Sequence, residues 1–354
     1  MEKQEIKVSL HLSEDLTASI HSQPYDKLFV LTDSHTESSS LPLLRQALGG
    51  LPHTHISIPA GDTHKDVASL CHVWEALSRG GASRHSLLLN LGGGMTTDLG
   101  GFAAATFKRG IRYINLPTTL LSMVDAAVGG KTGINFGGLK NEVGVFRPAA
   151  AVLIHTPFLS TLDRENLVSG YAEMLKHGLI STPEHWAELL RFPLQDPDAH
   201  LAPLSELVSR SVQVKEEIVA QDPYEQGLRK ALNLGHTVGH AFESLSFQTG
   251  HPVLHGYAVA WGLICELYLS ATLAGFPTDA LHQTVRFIRD HWGYFPIDCE
   301  QYETLYELMT HDKKNMGGVI NFTLLRGVGD IALNQTATRS QIYEALDFYR
   351  DGAH

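Results

Sequence analysis

Short apolar runs alternate with longer mixed segments through the first half of the sequence, and this alternation constrains the fold most. The runs occupy residues 27–32, 55–58, 86–91, 112–116 and 151–154. Each run has the length of one buried strand, and the segments between them can form the crossover helices that a parallel sheet requires. The sequence therefore predicts an N-terminal α/β domain built on a parallel sheet over residues 1–158.

The second half of the sequence has the periodicity of helices. Long amphipathic segments occupy residues 163–180, 201–220, 229–246 and 257–273, and each is consistent with one helix. One alternating stretch, residues 319–325, predicts a strand or one arm of a hairpin. The fold class is therefore α/β plus α, with a mainly helical domain over residues 159–354.

Composition excludes several classes of protein. Hydrophobic residues make up 43% and charged residues 18% of the 354 positions, as in ordered globular proteins. The net charge of -11 opposes nucleic-acid binding. The apolar segment 257–275 is interrupted by Glu266, so we interpret it as a buried helix rather than a membrane span.

The cysteines and the start of the chain indicate the compartment. Cys71, Cys265 and Cys299 are far apart and odd in number, which excludes a disulfide framework and a thiolate zinc site. Three of the first five residues are charged, and this start lacks the apolar core of a signal peptide. We expect a cytoplasmic protein with no membrane partner.

A glycine turn follows the predicted strand 86–91. Gly92, Gly93 and Gly94 would let backbone N–H groups approach a pyrophosphate at a helix N-terminus, as in Rossmann-like domains. The sequence is not G-x-G-x-x-G, so a turn required only by backbone geometry is about equally consistent with it. Thr118 and Thr119 follow the next predicted strand, where ligands of parallel sheets bind.

A second glycine-rich region carries charged side chains. Asp125, Lys131, Lys140 and Asn141 lie within an otherwise uncharged stretch, and their density favours anion binding over a solvated loop. A P-loop is excluded, because a glycine would be required where Asp125 stands.

The sharpest local pattern places Arg229, Asn233, His236 and His240 at successive spacings of four, three and four. On one continuous helix this spacing puts all four side chains on the same face, where a soluble helix would ordinarily be apolar.

Potential metal ligands accompany this pattern. Glu173, Lys176 and His177 share a face of the preceding helix, and His255 follows His236 by 19 residues. Two histidines and one carboxylate with an open position form a catalytic zinc site.

Six ordered motifs resemble the 3-dehydroquinate synthases of the shikimate pathway, members of the sugar phosphate cyclase superfamily. They are GGGMTTD (92–98), PTTLL (117–121), VDAAVGGKTG (124–133), AEMLKHG (172–178), LNLGHTVGH (232–240) and HG (255–256). This resemblance implies an NAD-binding α/β domain followed by a helical metal-binding domain, and a role in chorismate and aromatic amino acid biosynthesis.

The resemblance also implies roles for individual residues. The metal, zinc or cobalt, would be bound by Glu173, His236 and His255. Substrate would be bound or acted on by Asp125, Lys131, Lys140, Asn141, Lys176, Lys215, Arg229, Asn233, His240 and one of Lys313 or Lys314. NAD would contact Asp33, Asp62, Lys65, Gly93, Gly94, Asp98, Thr118, Thr119 and Thr161. Arg109 would reach the phosphate site of a neighbouring subunit, which implies a homodimer.

The implied reaction is that of a carbon–oxygen lyase acting on a small anionic sugar phosphate. It converts 3-deoxy-D-arabino-heptulosonate 7-phosphate to 3-dehydroquinate and phosphate by transient oxidation, elimination, re-reduction and aldol cyclisation. The sequence departs from the usual family pattern at Asp62, Met95 and Tyr257. The alternatives are a 2-epi-5-epi-valiolone or 2-deoxy-scyllo-inosose synthase, and a metal-dependent polyol dehydrogenase.

Overall fold

The computed structural model describes residues 4–195, 200–310 and 319–352. The chain divides into two compact units, which are Met1–Asp163 with Leu201–Val212, and Arg164–His200 with Gln213–His354. The division into domains 1–158 and 159–354 stays a prediction.

The first unit contains a six-stranded parallel sheet. Its strands are β1 (Glu5–Val8), β2 (Leu28–Asp33), β3 (Thr54–Ile58), β4 (Leu87–Gly92), β5 (Arg112–Pro117) and β8 (Ala151–Ile154), in the spatial order β1-β8-β5-β4-β2-β3. Its helices are α1 (Leu12–His21), α2 (Ser34–Ser39), α3 (Leu41–Leu48), α4 (Val67–Arg79) and α5 (Gly94–Thr106). All residues of β2, β4 and β8 are buried. The parallel α/β prediction is confirmed, and each of the five predicted strands is present.

Two parts of this unit were not predicted. β1 is only half-buried, so it lacks the continuous apolar run of the other strands. The glycine-rich region forms an antiparallel hairpin of β6 (Lys131–Phe136) and β7 (Leu139–Phe146), and β7 is exposed along its whole length. Lys131 therefore begins one strand of a hairpin, and Lys140 and Asn141 lie on the other.

The second unit is mainly helical, as predicted. It contains α6 (Arg164–Ile180), α7 (Pro183–Arg191), the second half of α8 (Leu201–Gln221), α9 (His236–Gln248), α10 (His255–Leu269), α11 (Thr278–Trp292), α12 (Tyr302–Thr310) and α13 (Arg339–Asp351). Strands β9 (Phe322–Gly327) and β10 (Asp330–Gln335) pair as an antiparallel hairpin, which confirms the predicted hairpin arm.

The apolar segment after residue 255 is a buried helix, as expected. Within the described ranges, His255–Ala274 is long and apolar enough to cross a membrane, with a mean hydropathy of 1.4, but 67% of that window is buried inside the protein. Core helices of soluble proteins pass the same test, so this is weak evidence for a membrane span.

The prediction of one continuous helix over residues 229–246 is wrong. Leu228–Asn233 forms a short 3-10 helix, and α9 begins only at His236. Between them, Leu234 has a non-helical ψ of 129° and Gly235 has a left-handed φ of 79°. A glycine adopts this conformation at no steric cost, so the turn ends one helix and starts the next. Arg229 and Asn233 therefore do not share a helix with His236 and His240.

Glycines bring the backbones of α9 and α10 into contact. A Cβ added to Gly262 on α10 would stand 2.6 Å from the backbone nitrogen of Gly239 on α9 and would also clash with the carbonyl oxygen of Gly235. A Cβ on Gly239 would lie 3.0 Å from the carbonyl oxygen of Ala258. Only glycine permits two helices to approach this closely.

We expect Gly262→Ala to destabilise the protein by about 1 to 3 kcal/mol, because the added methyl group meets backbone atoms that cannot rotate away. Gly327→Ala is the matched control, since its nearest neighbour, Asp330 Cβ, would be 4.0 Å away, and its effect should stay within about 0.5 kcal/mol. Denaturant or thermal unfolding of both variants measures the difference. Equal stability of the two variants would contradict this account of the helix contact.

Candidate metal centre and cofactor turn

The candidate metal centre begins with a buried ion pair on α6. Glu173 has no exposed surface, and Lys176, one turn later, is almost fully buried. The Lys176 ammonium donates to Glu173 Oε2. This spacing places both side chains on one face of the helix, as predicted.

Two imidazoles converge on the other oxygen of the same carboxylate. His236 Nε2 lies 3.4 Å and His255 Nε2 lies 3.5 Å from Glu173 Oε1. The ligand atoms of these three residues all lie within 4.8 Å of one another. His236 begins α9 and His255 begins α10, so the three predicted ligands come from the starts of two helices and the middle of a third.

The environment shifts the pKa values of this centre. Burial by itself raises the pKa of Glu173, but the charge of Lys176 and the contacts with His236 and His255 hold that pKa well below its usual value. Burial lowers the pKa of His255, but hydrogen bonds with Glu173 and Glu243 raise it to about 10. The carboxylate is therefore ionised, and a metal ion binding here must displace the proton of His255.

The sequence analysis missed Glu243. Its Oε2 lies 3.2 Å from His255 Nδ1, on the far side of the imidazole from Glu173. Glu243 follows His236 and His240 on α9 at spacings of seven and three, so helical periodicity could have identified it. Such a carboxylate orients a metal-binding histidine.

The remaining predicted residues of this unit lie on α8, α9 and the 3-10 helix. Lys215 on α8 is buried. Arg229 is buried too, and its Nη1 donates to the carbonyl oxygen of Pro223 at 2.6 Å. Asn233 Nδ2 donates to Glu225 Oε1 at 2.8 Å. The ring centroid of His240 lies 5.4 Å from that of His236, so it belongs to the same cluster.

The buried lysines and arginines of the described residues are all among the predicted site residues. Across residues 4–195, 200–310 and 319–352, only four lysines or arginines are buried, and they are Lys65, Lys176, Lys215 and Arg229. All four were identified from the sequence. Cations are almost never buried without paired charges or a ligand, so these four positions are candidates for binding an anion.

In the first unit, the predicted glycine turn joins β4 to α5. Gly93 is the N-cap of α5, and a Cβ on it would stand 3.0 Å from Thr119 Cγ2. Thr118 N–H donates to the Gly92 carbonyl at 3.0 Å. The structure therefore brings Gly93, Gly94, Thr118 and Thr119 together at the carboxyl ends of β4 and β5.

Asp33 supports the same turn from the end of β2. Its Oδ1 accepts the N–H groups of His35 and Thr36, and its Oδ2 accepts the hydroxyl of Thr96 at 2.9 Å. A carboxylate has about four acceptor positions, and these bonds occupy three of them. Asp33 thus ties the start of α2 to the start of α5.

A polar cluster connects the cofactor and substrate candidates of this unit. Lys65 Nζ donates to Asp98 Oδ2 and to Asn141 Oδ1, both at 2.5 Å. Lys140 Nζ lies 3.4 Å from Asp62 Oδ2.

Asn135 on β6, which the sequence analysis missed, joins the two halves of this cluster. Its Nδ2 donates to the Asp62 carbonyl at 3.0 Å, and its Oδ1 accepts the Asn141 N–H at 2.9 Å. No spacing in the sequence singles it out.

The other predicted residues of this part of the chain have the following positions. Asp125 is half-buried in a π-helical turn (Ser122–Ala126), and Lys131 is exposed. Arg109 is exposed with a left-handed φ of 67°. Thr161 ends a 3-10 helix after β8, where its hydroxyl donates to the Phe158 carbonyl. Lys313 and Lys314 lie outside the described residues.

Solved structures share this architecture. A 2-epi-5-epi-valiolone synthase from Streptomyces hygroscopicus, with NAD+ and Zn2+ bound, superposes with a TM-score of 0.87 at 26% identity, covering 99% of this chain and 98% of that one. A probable glycerol dehydrogenase from Sinorhizobium meliloti reaches a TM-score of 0.63 at 15% identity, covering 99% and 97%. The second likeness concerns the fold alone.

Sequence comparison gives the family. Residues 55–169 match the family model "3-dehydroquinate synthase N-terminal", and residues 170–315 match "3-dehydroquinate synthase C-terminal". A 3-dehydroquinate synthase of Parabacteroides distasonis is 55% identical over 351 residues, covering 99% of both chains. With both halves matched and a relative of this identity over its full length, the chain belongs to the 3-dehydroquinate synthase family.

Proposed function

We propose that this protein converts 3-deoxy-D-arabino-heptulosonate 7-phosphate into 3-dehydroquinate and phosphate, in the shikimate pathway. The observation that carries the proposal is the convergence of His236 Nε2 and His255 Nε2 on one oxygen of the buried Glu173. The 55% identity to a 3-dehydroquinate synthase favours this substrate over that of the 26% identical 2-epi-5-epi-valiolone synthase.

The geometry fits a divalent metal bound to Glu173, His236 and His255. Tetrahedral zinc bonds of about 2.0 to 2.1 Å separate neighbouring ligand atoms by roughly 3.3 to 3.4 Å. The two measured nitrogen-to-oxygen distances are 3.4 and 3.5 Å. Two imidazoles and one carboxylate are the ligands of an open, catalytic zinc site.

The glycine turn fits a dinucleotide. Gly93 is the N-cap of α5, and a Cβ on it would crowd the side chain of Thr119 beside the helix N-terminus, where a pyrophosphate would bind. When bound, NAD supplies a reversible hydride acceptor and the metal supplies a Lewis acid for the hydroxyl of the reacting carbon. The predicted contacts of Asp33, Asp62, Lys65, Asp98 and Thr161 with NAD belong to this proposal.

The chain's own part is to hold an anionic substrate and to orient it. Arg229 presents a planar guanidinium, which suits phosphate or carboxylate oxygens. Lys176 has three N–H donors, and its ion pair with Glu173 uses one of them. The bond from Asn233 to Glu225 fixes the orientation of that amide. Lys131, Lys140, Asn141, Lys215, Asp125 and His240 complete the proposed substrate contacts.

We expect the purified protein to release phosphate from this substrate without accumulating NADH, and to contain one divalent metal per chain. His255→Ala should lose both the metal and the turnover, because one ligand is gone. His251→Ala, at an exposed position nearby in sequence, should keep both. Elemental analysis and a phosphate assay measure these outcomes. Net NADH production would instead favour a dehydrogenase, and a full metal content in His255→Ala would contradict the ligand assignment.

Arg229→Ala should lower kcat/KM by about ten- to a hundredfold, because a charge-assisted contact contributes roughly 1.5 to 3 kcal/mol. Lys176→Ala should lower kcat/KM at least as much, since Glu173 also loses its buried partner. Arg286→Ala is the control, because that side chain is 86% exposed. Kinetics and melting temperature are measured for each variant. Normal kinetics in Arg229→Ala and Lys176→Ala would exclude the proposed anion contacts.

We also propose a homodimer in the cytoplasm. Phe136 and Leu139 of the β6–β7 hairpin are 56% and 55% exposed, and Val143, Val145 and Phe146 are exposed beside them. Exposed apolar patches of this kind mark protein interfaces.

Lys108 and Arg109 both have positive φ values in the same unit. Strain of this kind persists where a function requires it, here a contact of Arg109 with the partner's phosphate.

Mixing Arg109→Ala with Lys131→Ala should restore part of the activity that each variant lacks alone. In a mixed dimer, one site would receive an intact Arg109 and an intact Lys131. Lys131→Ala mixed with Lys140→Ala is the control, since both residues serve the site of their own subunit. The assay is run where subunit exchange is demonstrated. Failure to recover activity in the first mixture would argue against a shared site.

A further inference from the structure

One peptide unit links the candidate ligand His236 to a buried carboxylate on another helix. The carbonyl oxygen of Leu234 lies 3.1 Å from His236 Nδ1. The N–H of Gly235, on the other side of the same peptide bond, donates to Glu266 Oε2 at 2.6 Å. A chain of two hydrogen bonds therefore runs from Glu266 through the peptide to the imidazole.

The first bond of this chain determines the tautomer of His236. A carbonyl oxygen can only accept, so Nδ1 must carry the proton. In the neutral imidazole, Nε2 is then the nitrogen with the available lone pair, and it is Nε2 that faces Glu173 Oε1 at 3.4 Å. The turn at Leu234 and Gly235 thus presents the correct nitrogen to the centre.

Glu266 is an acidic residue in a buried, mostly apolar part of the protein. It has no exposed surface and lies on α10, whose buried residues are otherwise almost all apolar. Its other oxygen, Oε1, accepts the Val238 N–H at 3.1 Å. Both oxygens therefore bind backbone N–H groups around the start of α9, where the helix dipole also favours a negative charge.

We propose that Glu266 is a positioning residue for the metal centre, which acts on His236 through the Leu234–Gly235 peptide. The carboxylate fixes the orientation of this peptide and polarises it, because hydrogen bonds in series strengthen one another. His255 has a direct equivalent, since Glu243 contacts its Nδ1 at 3.2 Å. Each candidate histidine ligand is then supported by a carboxylate, one directly and one through a peptide.

The inference rests on the proposed metal site and predicts a defect in metal affinity. Glu266→Gln preserves the shape and one acceptor oxygen but removes the charge. We expect its zinc affinity to fall by about 10- to 100-fold, as for other partners of metal ligands.

Cys265→Ala is the matched control. Cys265 is the neighbouring residue on α10 and is equally buried, so this variant disturbs the packing of the helix but retains the hydrogen-bond chain. Competition with a chromophoric chelator measures zinc affinity, and thermal unfolding of the metal-free proteins measures stability. Wild-type affinity in Glu266→Gln, or an equal loss of affinity in both variants, would overturn the proposal.

A second measurement needs no stable Glu266 variant. Nitrogen-15 spectra of the metal-free, histidine-labelled wild type at alkaline pH report which imidazole nitrogen carries the proton. The His236 signals are assigned by their loss in His236→Gln. We expect a protonated Nδ1 and an unprotonated Nε2, and the opposite tautomer would overturn the proposal.

These measurements separate the inference from the proposed function. A wild type that binds no zinc would contradict the proposed metal site. The tautomer of His236 in the metal-free protein would still test the hydrogen bond from Nδ1 to the Leu234 carbonyl, because this bond does not require the metal.

Discussion

The carboxylate of Glu173 has no exposed surface, and the arrangement of the second unit depends on how its charge is compensated. An isolated ion in a protein interior costs several kcal/mol, which must be offset by opposite charges and hydrogen bonds. Lys176 supplies one partner from α6 itself, and His236 and His255 supply the others from α9 and α10. Three helices must therefore meet at two oxygen atoms, and the protein tolerates the buried charge only because they do.

Small residues allow the helices to meet so closely. A Cβ on Gly256, next to His255, would clash with the carbonyl oxygen of Ser169 on α6, while the Gly256 N–H donates to the Ser169 hydroxyl at 3.1 Å. Three helical turns later, Glu266 binds the start of α9. α10 thus contacts α6 at its first turn and holds α9 further along. These backbone contacts determine how closely the three helices that carry the candidate ligands approach one another.

The sequence predicted the elements that have a regular apolar pattern, and it missed features that depend on single residues or lack such a pattern. β2 and β4 were identified because burial on both faces requires continuous apolar runs. The β6–β7 hairpin was missed because β7 is exposed and its pattern resembles that of a loop. The helix prediction at residue 229 failed at Gly235, whose left-handed turn leaves the apolar periodicity around it intact. The candidate ligands Glu173, His236 and His255 were identified through the resemblance to the 3-dehydroquinate synthases, whereas Glu266 is a single acid whose partners are backbone atoms.

Electrostatics explain how an acidic chain can select an anionic substrate. The net charge of -11 repels anions at a distance, so attraction must come from cations whose field is not screened by water. In the proposed substrate site, the burial of Lys176, Lys215 and Arg229 would meet this requirement, because a charge removed from water interacts more strongly with a ligand at contact. Without a bound ligand, the buried charge of Lys176 is compensated by its ion pair with Glu173. In the proposed site, a metal ion on Glu173 would compete with Lys176 for the carboxylate, so the proposed metal binding and the proposed substrate contact of Lys176 would be coupled through one carboxylate.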